Sequence, residues 1–248
     1  MNTRLLLDRT GSRAAVGSLG TILSIWAHPD DETYLAGGLM AMARDGGQRV
    51  VCATASAGEH GTAEPDVWPP ERLDQVRRWE AAAAMAVLGV AEHHVLGLPG
   101  AGVLGDAPVG QAWVERLIDH VQPDTIVTFG PDGVTHHPDH VAVHRWVVDA
   151  WRGRGAGARL LLATPTVDHL DRFGDLYEAL GVYLGQERPD GVGDDELAVH
   201  LRLDGFELDR KLAALRAMAT QTSGVIALLD PNVYAATVAE ESFVDAVR

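Results

Sequence analysis

Short apolar runs alternate with segments of helical periodicity through most of the chain, and this alternation restricts the fold more than any other feature. Strands are predicted at residues 21–27, 49–55, 94–98, 125–129 and 159–163, and helices at residues 32–44, 73–88, 109–121 and 138–151. Strands separated by helices pair in parallel, because each helix crosses back over the sheet. The pattern predicts a Rossmann-like, doubly wound α/β fold with a mostly parallel sheet, helices on both faces and strand order 3-2-1-4-5.

The pattern is less regular after residue 165. It predicts a helix at residues 168–180, a strand at residues 197–203 and a helix at residues 206–221, with a mobile Gly-, Asp- and Pro-rich loop at residues 185–195. We predict one domain for residues 1–248, in which residues 1–20 are an N-terminal extension and residues 165–205 form a less regular region on the substrate side.

The charge and composition of the chain disfavour several functional classes. The 248 residues carry a formal net charge of −15 without any basic cluster, whereas phosphate binding requires clustered Lys and Arg side chains. No apolar run approaches the roughly 20 residues of a membrane span, so we expect a cytoplasmic enzyme that binds neither nucleic acid nor membrane. The single cysteine, Cys52, excludes an intrachain disulfide and a zinc site made of thiolates. The sequence leaves open whether the chain forms a homo-oligomer.

The first predicted strand runs directly into an acidic motif, Ala-His-Pro-Asp-Asp-Glu at residues 27–32. Proline suits the first turn of a helix, since its missing N–H would have no helical partner there. His28 and Asp31 are three residues apart, so a turn at this point can direct both side chains to one spot. Imidazole and carboxylate groups are both good zinc ligands. The motif lacks a Gly-x-Gly-x-x-Gly pattern, so a dinucleotide cofactor is not expected.

A second motif of the same kind follows the fourth predicted strand. It reads His-His-Pro-Asp-His at residues 136–140, and proline again opens a helix. With strand order 3-2-1-4-5, strands one and four are neighbours where the order reverses, and ligands bind beyond the carboxyl ends of the strands at that point. We therefore expect the two motifs to converge on one pocket. The alternative interpretation is that both are only polar, proline-started helix caps.

The residue types of the two motifs suit a catalytic zinc ion, one per chain, which requires three protein ligands and an open position. We predict His28, Asp31 and His140 as ligands, although the same set also suits iron or cobalt. If Asp31 binds the metal, Asp30 is free to take a proton from water and to give it to a leaving amine. His137 is then predicted to stabilise an oxyanion, and Asp139 to pair with one of the histidines.

At these residues the chain resembles the LmbE-like or PIG-L family of zinc-dependent N-acetylglucosaminyl deacetylases. The resemblance covers residues 22–222 and depends mainly on the combination of the motifs at residues 27–32 and 137–140. It implies the same three zinc ligands, with Asp30 as the general base and His137 assisting at the substrate carbonyl. It further implies that the protein hydrolyses the amide of an N-acyl amino sugar or sugar conjugate.

Weaker similarities extend the predicted site. The sequence Gly-Glu-His-Gly at residues 58–61 is similar to a turn of the family, and Arg77 lies in a segment similar to the family's R-x-x-E helix. The resemblance therefore implies that Glu59 and Arg77 contact substrate. Taken alone, Arg77 and Glu80 also fit an ion pair on a helix surface, and Glu59 fits an ordinary loop charge.

The chain departs from the family pattern at three sites. Thr135 and His136 stand where sugar deacetylases often have Tyr-Gly, so His136 is predicted to contact substrate instead. Gly100 replaces a frequent Asp, and Met218 replaces a frequent His. These departures keep open the same metal chemistry on a non-sugar amide. A separate alternative is a non-catalytic module that binds a metal or ligand, although a structural site has no need of a spare carboxylate such as Asp30.

Overall fold

The computed structural model describes residues 12–99, 108–155 and 157–247, and its centre is a seven-stranded sheet. In chain order the strands are β1 (Ile22–Trp26), β2 (Val50–Thr54), β3 (Glu92–Val95), β4 (Thr125–Phe129), β5 (Arg159–Ala163), β6 (Val199–Arg202) and β7 (Glu240–Asp245). Across the sheet their order is β3-β2-β1-β4-β5-β7-β6. The first five strands are parallel, and β7 is antiparallel to both β5 and β6. The prediction of a mostly parallel α/β sheet with order 3-2-1-4-5 is confirmed.

Helices connect the strands and cover both faces of the sheet. They are α1 (Asp31–Asp45), α2 (Pro70–Leu88), α3 (Pro108–Val121), α4 (Pro138–Arg154), α5 (Val167–Ala179), α6 (Gly205–Ala217), α7 (Ala219–Leu228) and α8 (Pro231–Thr237). The helices α1, α2 and α6 pack against one another, and α3 packs against α4. Because the strand order reverses between β1 and β4, right-handed crossovers place these two groups on opposite faces. Among the helices of the described ranges, none combines the length and apolarity that a membrane crossing requires.

The central strands explain why the sequence predicts this sheet well. All five residues of β1, of β2 and of β4 are buried. A strand covered on both faces is mostly apolar and lacks charged residues, and these three strands fit that description. β1 and β4 are direct neighbours, so the loops that follow them leave the sheet side by side at its carboxyl edge.

The structure corrects three expectations in less regular parts of the chain. β3 spans Glu92–Val95 rather than residues 94–98. The helix expected at residues 206–221 is two helices, because Met218 has φ −100° and ψ 51° and interrupts the helical backbone between α6 and α7. The sequence pattern does not indicate β7, which inserts between β5 and β6.

Candidate active site

The first turn of the site joins β1 to α1, and its backbone is strained. Asp30 has a φ of 116°, a conformation that favours glycine, and its N–H donates to the Glu32 carboxylate at 3.1 Å. Glu32 is fully buried, and this burial raises its pKa to about 8. Strain of this kind persists where the surrounding structure enforces it, often at active sites. The turn places the Asp30 and Asp31 carboxylates side by side at the end of β1.

The Asp31 carboxylate lies between two histidine rings. It accepts a hydrogen bond from the backbone N–H of His28 at 2.8 Å. Its Oδ2 lies 3.5 Å from His28 Nδ1, and its Oδ1 lies 3.3 Å from His140 Nε2. Burial alone would raise the pKa of Asp31, but His140 and His28 hold that pKa well below its usual range. Asp31 is therefore an anion held against two ring nitrogens.

The second turn, between β4 and α4, supplies the other side of the site. His137 is the residue before α4, and its Nδ1 accepts the backbone N–H of Asp139 at 3.2 Å. Asp139 is fully buried, and its Oδ2 lies 3.0 Å from His28 Nε2. His140 is stacked on Phe129 with ring centroids 4.3 Å apart. The structure thus brings the two motifs together, with His28, His137 and His140 each offering a ligand atom within 4.8 Å of the others.

Hydrogen bonds decide which ring nitrogens are free to bind a metal. His28 Nε2 faces the Asp139 carboxylate, and His140 Nδ1 lies 3.0 Å from the Gly133 carbonyl, so both of these nitrogens are donors. In neutral rings the lone pairs then belong to His28 Nδ1 and His140 Nε2. In contrast, His137 Nδ1 accepts a hydrogen bond, so a neutral His137 carries its proton on Nε2.

The distances within this set fit a zinc ion. Tetrahedral zinc with ligands at about 2.0–2.1 Å separates its ligand atoms by roughly 3.3 Å. The Asp31 oxygens lie 3.3 Å and 3.5 Å from the two free nitrogens, those of His140 and His28. Asp139 and the Gly133 carbonyl orient the two rings from behind, as outer-sphere partners do in zinc sites. The donor set is therefore compatible with zinc.

The electrostatic environments of the neighbouring groups differ sharply. Burial lowers the pKa of His28, but hydrogen bonds that its ring donates to the Asp139 and Asp31 carboxylates raise it overall to about 9. Burial lowers the pKa of His137 to about 4, which keeps that ring neutral at pH 7. Burial raises the pKa of Asp30 to about 6, although Arg77 nearby opposes this shift. One acid and one neutral imidazole with shifted pKa values thus stand beside the possible ligands.

A cavity of about 560 Å³ opens beside these residues. Asp30, Asp31 and His140 of the two motifs form one part of its wall, together with Thr135, the residue before the second motif. The rest of the wall comes mainly from the second half of the chain, including α5, α7, α8 and β7, with Tyr34 and Leu35 of α1 added. Parallel α/β sheets bind ligands at this edge, where the strand order reverses.

Comparison with known proteins identifies the group to which this architecture belongs. Residues 23–151 match the PIG-L family, described as GlcNAc-PI de-N-acetylase. A 1D-myo-inositol 2-acetamido-2-deoxy-alpha-D-glucopyranoside deacetylase of Acidothermus cellulolyticus is 32% identical, over 81% of this chain and 79% of the relative. The chain belongs to the PIG-L family. The predicted resemblance is therefore confirmed, and so is the prediction of an amide-cleaving hydrolase of the deacetylase type.

Solved structures share the fold of this PIG-L protein. The N,N'-diacetylchitobiose deacetylase of Pyrococcus horikoshii is 18% identical with a TM-score of 0.64, and the similarity covers 95% of this chain and 86% of that one. A deacetylase crystallised with teicoplanin is 18% identical with a TM-score of 0.62, and covers 92% and 100% of the two chains. At these identities the likeness concerns the fold.

Arg77 of this PIG-L chain lies beneath the first turn rather than on the cavity wall. Its guanidinium donates to the carbonyls of Gly58 and Pro29 at 2.6 Å and 2.5 Å, and lies 3.6 Å from the Asp30 carboxylate. The interpretation of Arg77 and Glu80 as a surface pair is wrong. Arg77 is only 3% exposed, and Glu80 instead accepts hydrogen bonds from the N–H and hydroxyl of Thr220.

The other predicted substrate contacts lie away from the cavity wall. His136 has a φ of 60°, and its Nε2 lies 3.0 Å from the Glu187 carbonyl. Glu59 lies in the loop after β2, with its carboxylate 3.7 Å from His60. Neither side chain belongs to the cavity lining. Gly100 lies outside the described residues.

Sequence reasoning missed two kinds of functional neighbour. Thr135 Oγ1 lies 3.1 Å from His140 Nδ1, and the Gly133 carbonyl shares that nitrogen. Their place five and seven residues before His140, a predicted ligand, was the available signal. The four tyrosines of the chain, Tyr34, Tyr177, Tyr183 and Tyr234, all line the cavity. Nothing in their sequence spacing indicates this, because they come from distant elements.

Proposed function

We propose that this protein is a zinc-dependent hydrolase that removes the acyl group from an N-acyl amino sugar or sugar conjugate. The observation that carries the proposal is the convergence of His28, Asp31 and His140 at the carboxyl edge of the sheet, beside a spare carboxylate and a large cavity. One seven-stranded sheet runs through residues 22–245, which supports treating the chain as one catalytic domain.

The metal would be held by His28 Nδ1, one or both Asp31 oxygens and His140 Nε2. When bound, zinc supplies a Lewis acid that polarises the amide carbonyl and lowers the pKa of water. Asp139 holds the His28 ring with Nε2 protonated, and the Gly133 carbonyl holds the His140 ring with Nδ1 protonated. A set of three His nitrogens, with His137 in place of Asp31, is disfavoured because the His137 Nε2 lone pair is occupied by a proton.

Asp30 is the general base in this proposal. Its carboxylate is adjacent to Asp31, lines the cavity, and is the spare acid of the motif. A carboxyl group whose pKa lies near the working pH can accept a proton from the attacking water and return it to the leaving amine. Arg77, at 3.6 Å, holds the carboxylate in place and ties it to the Gly58 turn. Arg77 is therefore a positioning residue.

His137 is proposed to donate a hydrogen bond to the substrate carbonyl oxygen. Its Nδ1 accepts the Asp139 N–H, so its neutral form offers an Nε2–H donor. Such a donor stabilises negative charge that develops on the oxygen during attack. The donor role does not require His137 to be protonated on both nitrogens, in agreement with its lowered pKa of about 4.

The amino-sugar assignment rests on family membership and on the name of the 32% identical relative, an acetamido-sugar deacetylase. A second candidate is a non-sugar amide, which is favoured by Thr135. This residue stands in the cavity wall where a tyrosine is frequent in the family, and its hydroxyl faces His140 instead of the open cavity.

The proposal is tested with a substrate panel and the variant Asp30→Asn. We expect the wild type to hydrolyse N-acetylglucosamine conjugates in preference to N-acetyl amino acids and peptides. Asp30→Asn should lower kcat/KM by about 10²–10⁴-fold without loss of zinc, since the variant keeps the ligands and removes the base. The matched control is Asp119→Asn, an exposed residue paired with Arg154.

Full activity of Asp30→Asn would refute the assignment of the base. Turnover of non-sugar amides alone would favour the second candidate, and hydrolysis of no amide at all would contradict the proposed function.

A further inference from the structure

The cavity is much larger than an acetyl group requires. Its volume of about 560 Å³ lies within the range of roughly 300–1,000 Å³ that accommodates drug-sized ligands. Acetyl adds only two carbons to the amine. The space beside Asp30, Asp31 and His140 is therefore available to a larger part of the substrate.

Aliphatic side chains from the second half of the chain dominate this space. They belong to α5, to the segment after it, and to α7 with the residue that follows it. The most prominent are Leu170, Leu180, Val182, Val225, Leu228 and Leu229. Leu228 is 68% exposed although it lies in the cavity wall, so its apolar surface faces open space rather than the core.

Many polar groups of the cavity wall are already hydrogen-bonded to other groups of the protein. The pairs are Tyr34 with Tyr234 at 3.3 Å, His169 with Tyr177 at 2.8 Å, Ser242 with the Thr164 carbonyl at 2.5 Å, and Glu241 with Lys211 at 2.7 Å. The buried hydroxyl of Tyr183 has no hydrogen-bond partner within the described ranges. The lining thus offers few free donors or acceptors to a ligand.

This lining discriminates between the two ends of an N-acyl amino sugar. A sugar ring carries several hydroxyl groups, and each hydroxyl that is buried without a partner loses its hydrogen bonds to water without replacement. An alkyl chain has no such cost, and each buried methylene contributes about 0.8 kcal/mol. The acyl group is therefore the part of the substrate that this cavity favours, and the sugar is better placed at the open mouth.

We propose that the cavity is an acyl-chain site, so that this enzyme prefers N-acyl substrates whose acyl chain is several carbons longer than acetyl. The inference rests on the proposed function for the position of the scissile amide. Asp30, Asp31 and His140 line one side of the same cavity, so a carbonyl held there extends its chain directly between α5 and α7.

The first test is binding, because it does not depend on turnover. Calorimetry measures the Kd of the wild-type, zinc-loaded protein for straight-chain carboxylates from acetate to octanoate, which are the released acyl products. We expect Kd to fall by about fourfold for each added methylene, the fold-change that corresponds to about 0.8 kcal/mol. A Kd that does not depend on chain length would overturn the proposal.

The second test compares two kinetic series on the same protein. In one series the acyl group of N-acylglucosamine lengthens from acetyl to octanoyl, and in the other the acyl group stays acetyl while an alkyl glycoside lengthens. The proposal predicts that kcat/KM rises along the first series only. A rise along the second series only would assign the cavity to the aglycone and overturn the acyl-chain site.

A variant connects the effect to the cavity. Val225→Trp on α7 places a larger side chain in the cavity wall and narrows the cavity. The substitution should therefore shift the preferred acyl chain to a shorter length and weaken octanoate binding. The matched control is Val109→Trp on α3, where the side chain is 44% exposed and lies outside the cavity lining. An unchanged length preference in folded Val225→Trp would contradict the proposal. Failure of the wild type to hydrolyse any amide would refute the proposed function, and the carboxylate series would still decide the acyl-chain site.

Discussion

At the scale of single residues, neighbouring groups decide which ring nitrogen of His28 and of His140 carries the proton. Asp139 is 111 residues from His28 in sequence, yet its carboxylate fixes the Nε2 proton of that ring at 3.0 Å. In His140 the backbone carbonyl of Gly133 fixes the ring proton on Nδ1. The two histidines proposed as metal ligands are thus oriented by different chemistry, a carboxylate for His28 and a backbone carbonyl with the Thr135 hydroxyl for His140.

Asp139→Asn tests this role of the carboxylate. An amide can turn its NH₂ toward His28 Nε2, which favours a proton on Nδ1 and removes the lone pair needed for zinc. We expect zinc affinity to fall by about 10–100-fold, as measured by competition with a chelator. The control is again Asp119→Asn. Unchanged affinity in Asp139→Asn would show that Asp139 does not orient the ligand.

Sequence reasoning located the residues of the two motifs because their chemistry is encoded locally. His28 with Asp31, and His137 with His140, are three residues apart in turns after predicted strands. The surroundings of Arg77 could not be predicted in this way. Its partners Pro29 and Gly58 precede it by 48 and 19 residues, so its burial depends on how α2 packs against both loops.

At the scale of elements, the pair α3–α4 shows how glycine positions are selected by packing. A Cβ on Gly110 in α3 would overlap the Trp146 ring of α4. A Cβ on Gly153, near the end of α4, would meet nothing within 4 Å. Both residues are helical, so alanine offers the same gain in helix propensity at each.

The two alanine substitutions are expected to have opposite effects on stability. Gly153→Ala should raise the free energy of unfolding by about 0.5–1 kcal/mol. Gly110→Ala should lower it, because overpacking against Trp146 costs about 1–3 kcal/mol and exceeds the propensity gain. Urea denaturation measures both changes. Equal stabilisation by the two substitutions would show that α3 moves away from α4 without cost.

The strands illustrate the limit of sequence patterns at the same scale. β1, β2 and β4 are predictable because they are wholly buried, mostly apolar and free of charged residues. β7 begins with Glu240 and Glu241, which look like solvent-exposed charges in sequence. Glu241 is instead 2% exposed and accepts hydrogen bonds from Lys211 and from the N–H groups of Gly38 and Leu39. Burial of Glu241 in this strand depends on hydrogen bonds from residues that are distant in sequence, so the local pattern does not predict the strand.

At the scale of the whole molecule, the two halves of the chain contribute different properties. The elements up to α4 supply the groups proposed to be catalytic, and those after β5 supply most of the cavity wall. Lys211 of α6 joins the halves, since its Nζ donates to Glu241 of β7 and to the Tyr34 carbonyl of α1, each at 2.7 Å. The first half is predictable from local motifs, whereas the cavity is formed by elements with no shared motif.

Lys211→Met is expected to destabilise the whole protein. The substitution leaves the buried Glu241 carboxylate without its cation, which costs about 3–5 kcal/mol. The control is Arg154→Met, which breaks an ion pair with Asp119 in which both side chains are 52% exposed and should cost less than about 1 kcal/mol. Denaturant titration compares the two variants. A loss no larger than that of the control would show that the pair does not stabilise the fold.

The metal content of the purified protein tests the central claim most directly. Elemental analysis compares the wild type with His140→Ala and His137→Ala after incubation with zinc and removal of excess. The account predicts one zinc per chain in the wild type, loss in His140→Ala and retention in His137→Ala, because His137 is a hydrogen-bond donor and not a ligand. Loss of zinc in His137→Ala as well would indicate that His137, and not Asp31, is the third ligand. A wild type without bound zinc would contradict the account as a whole.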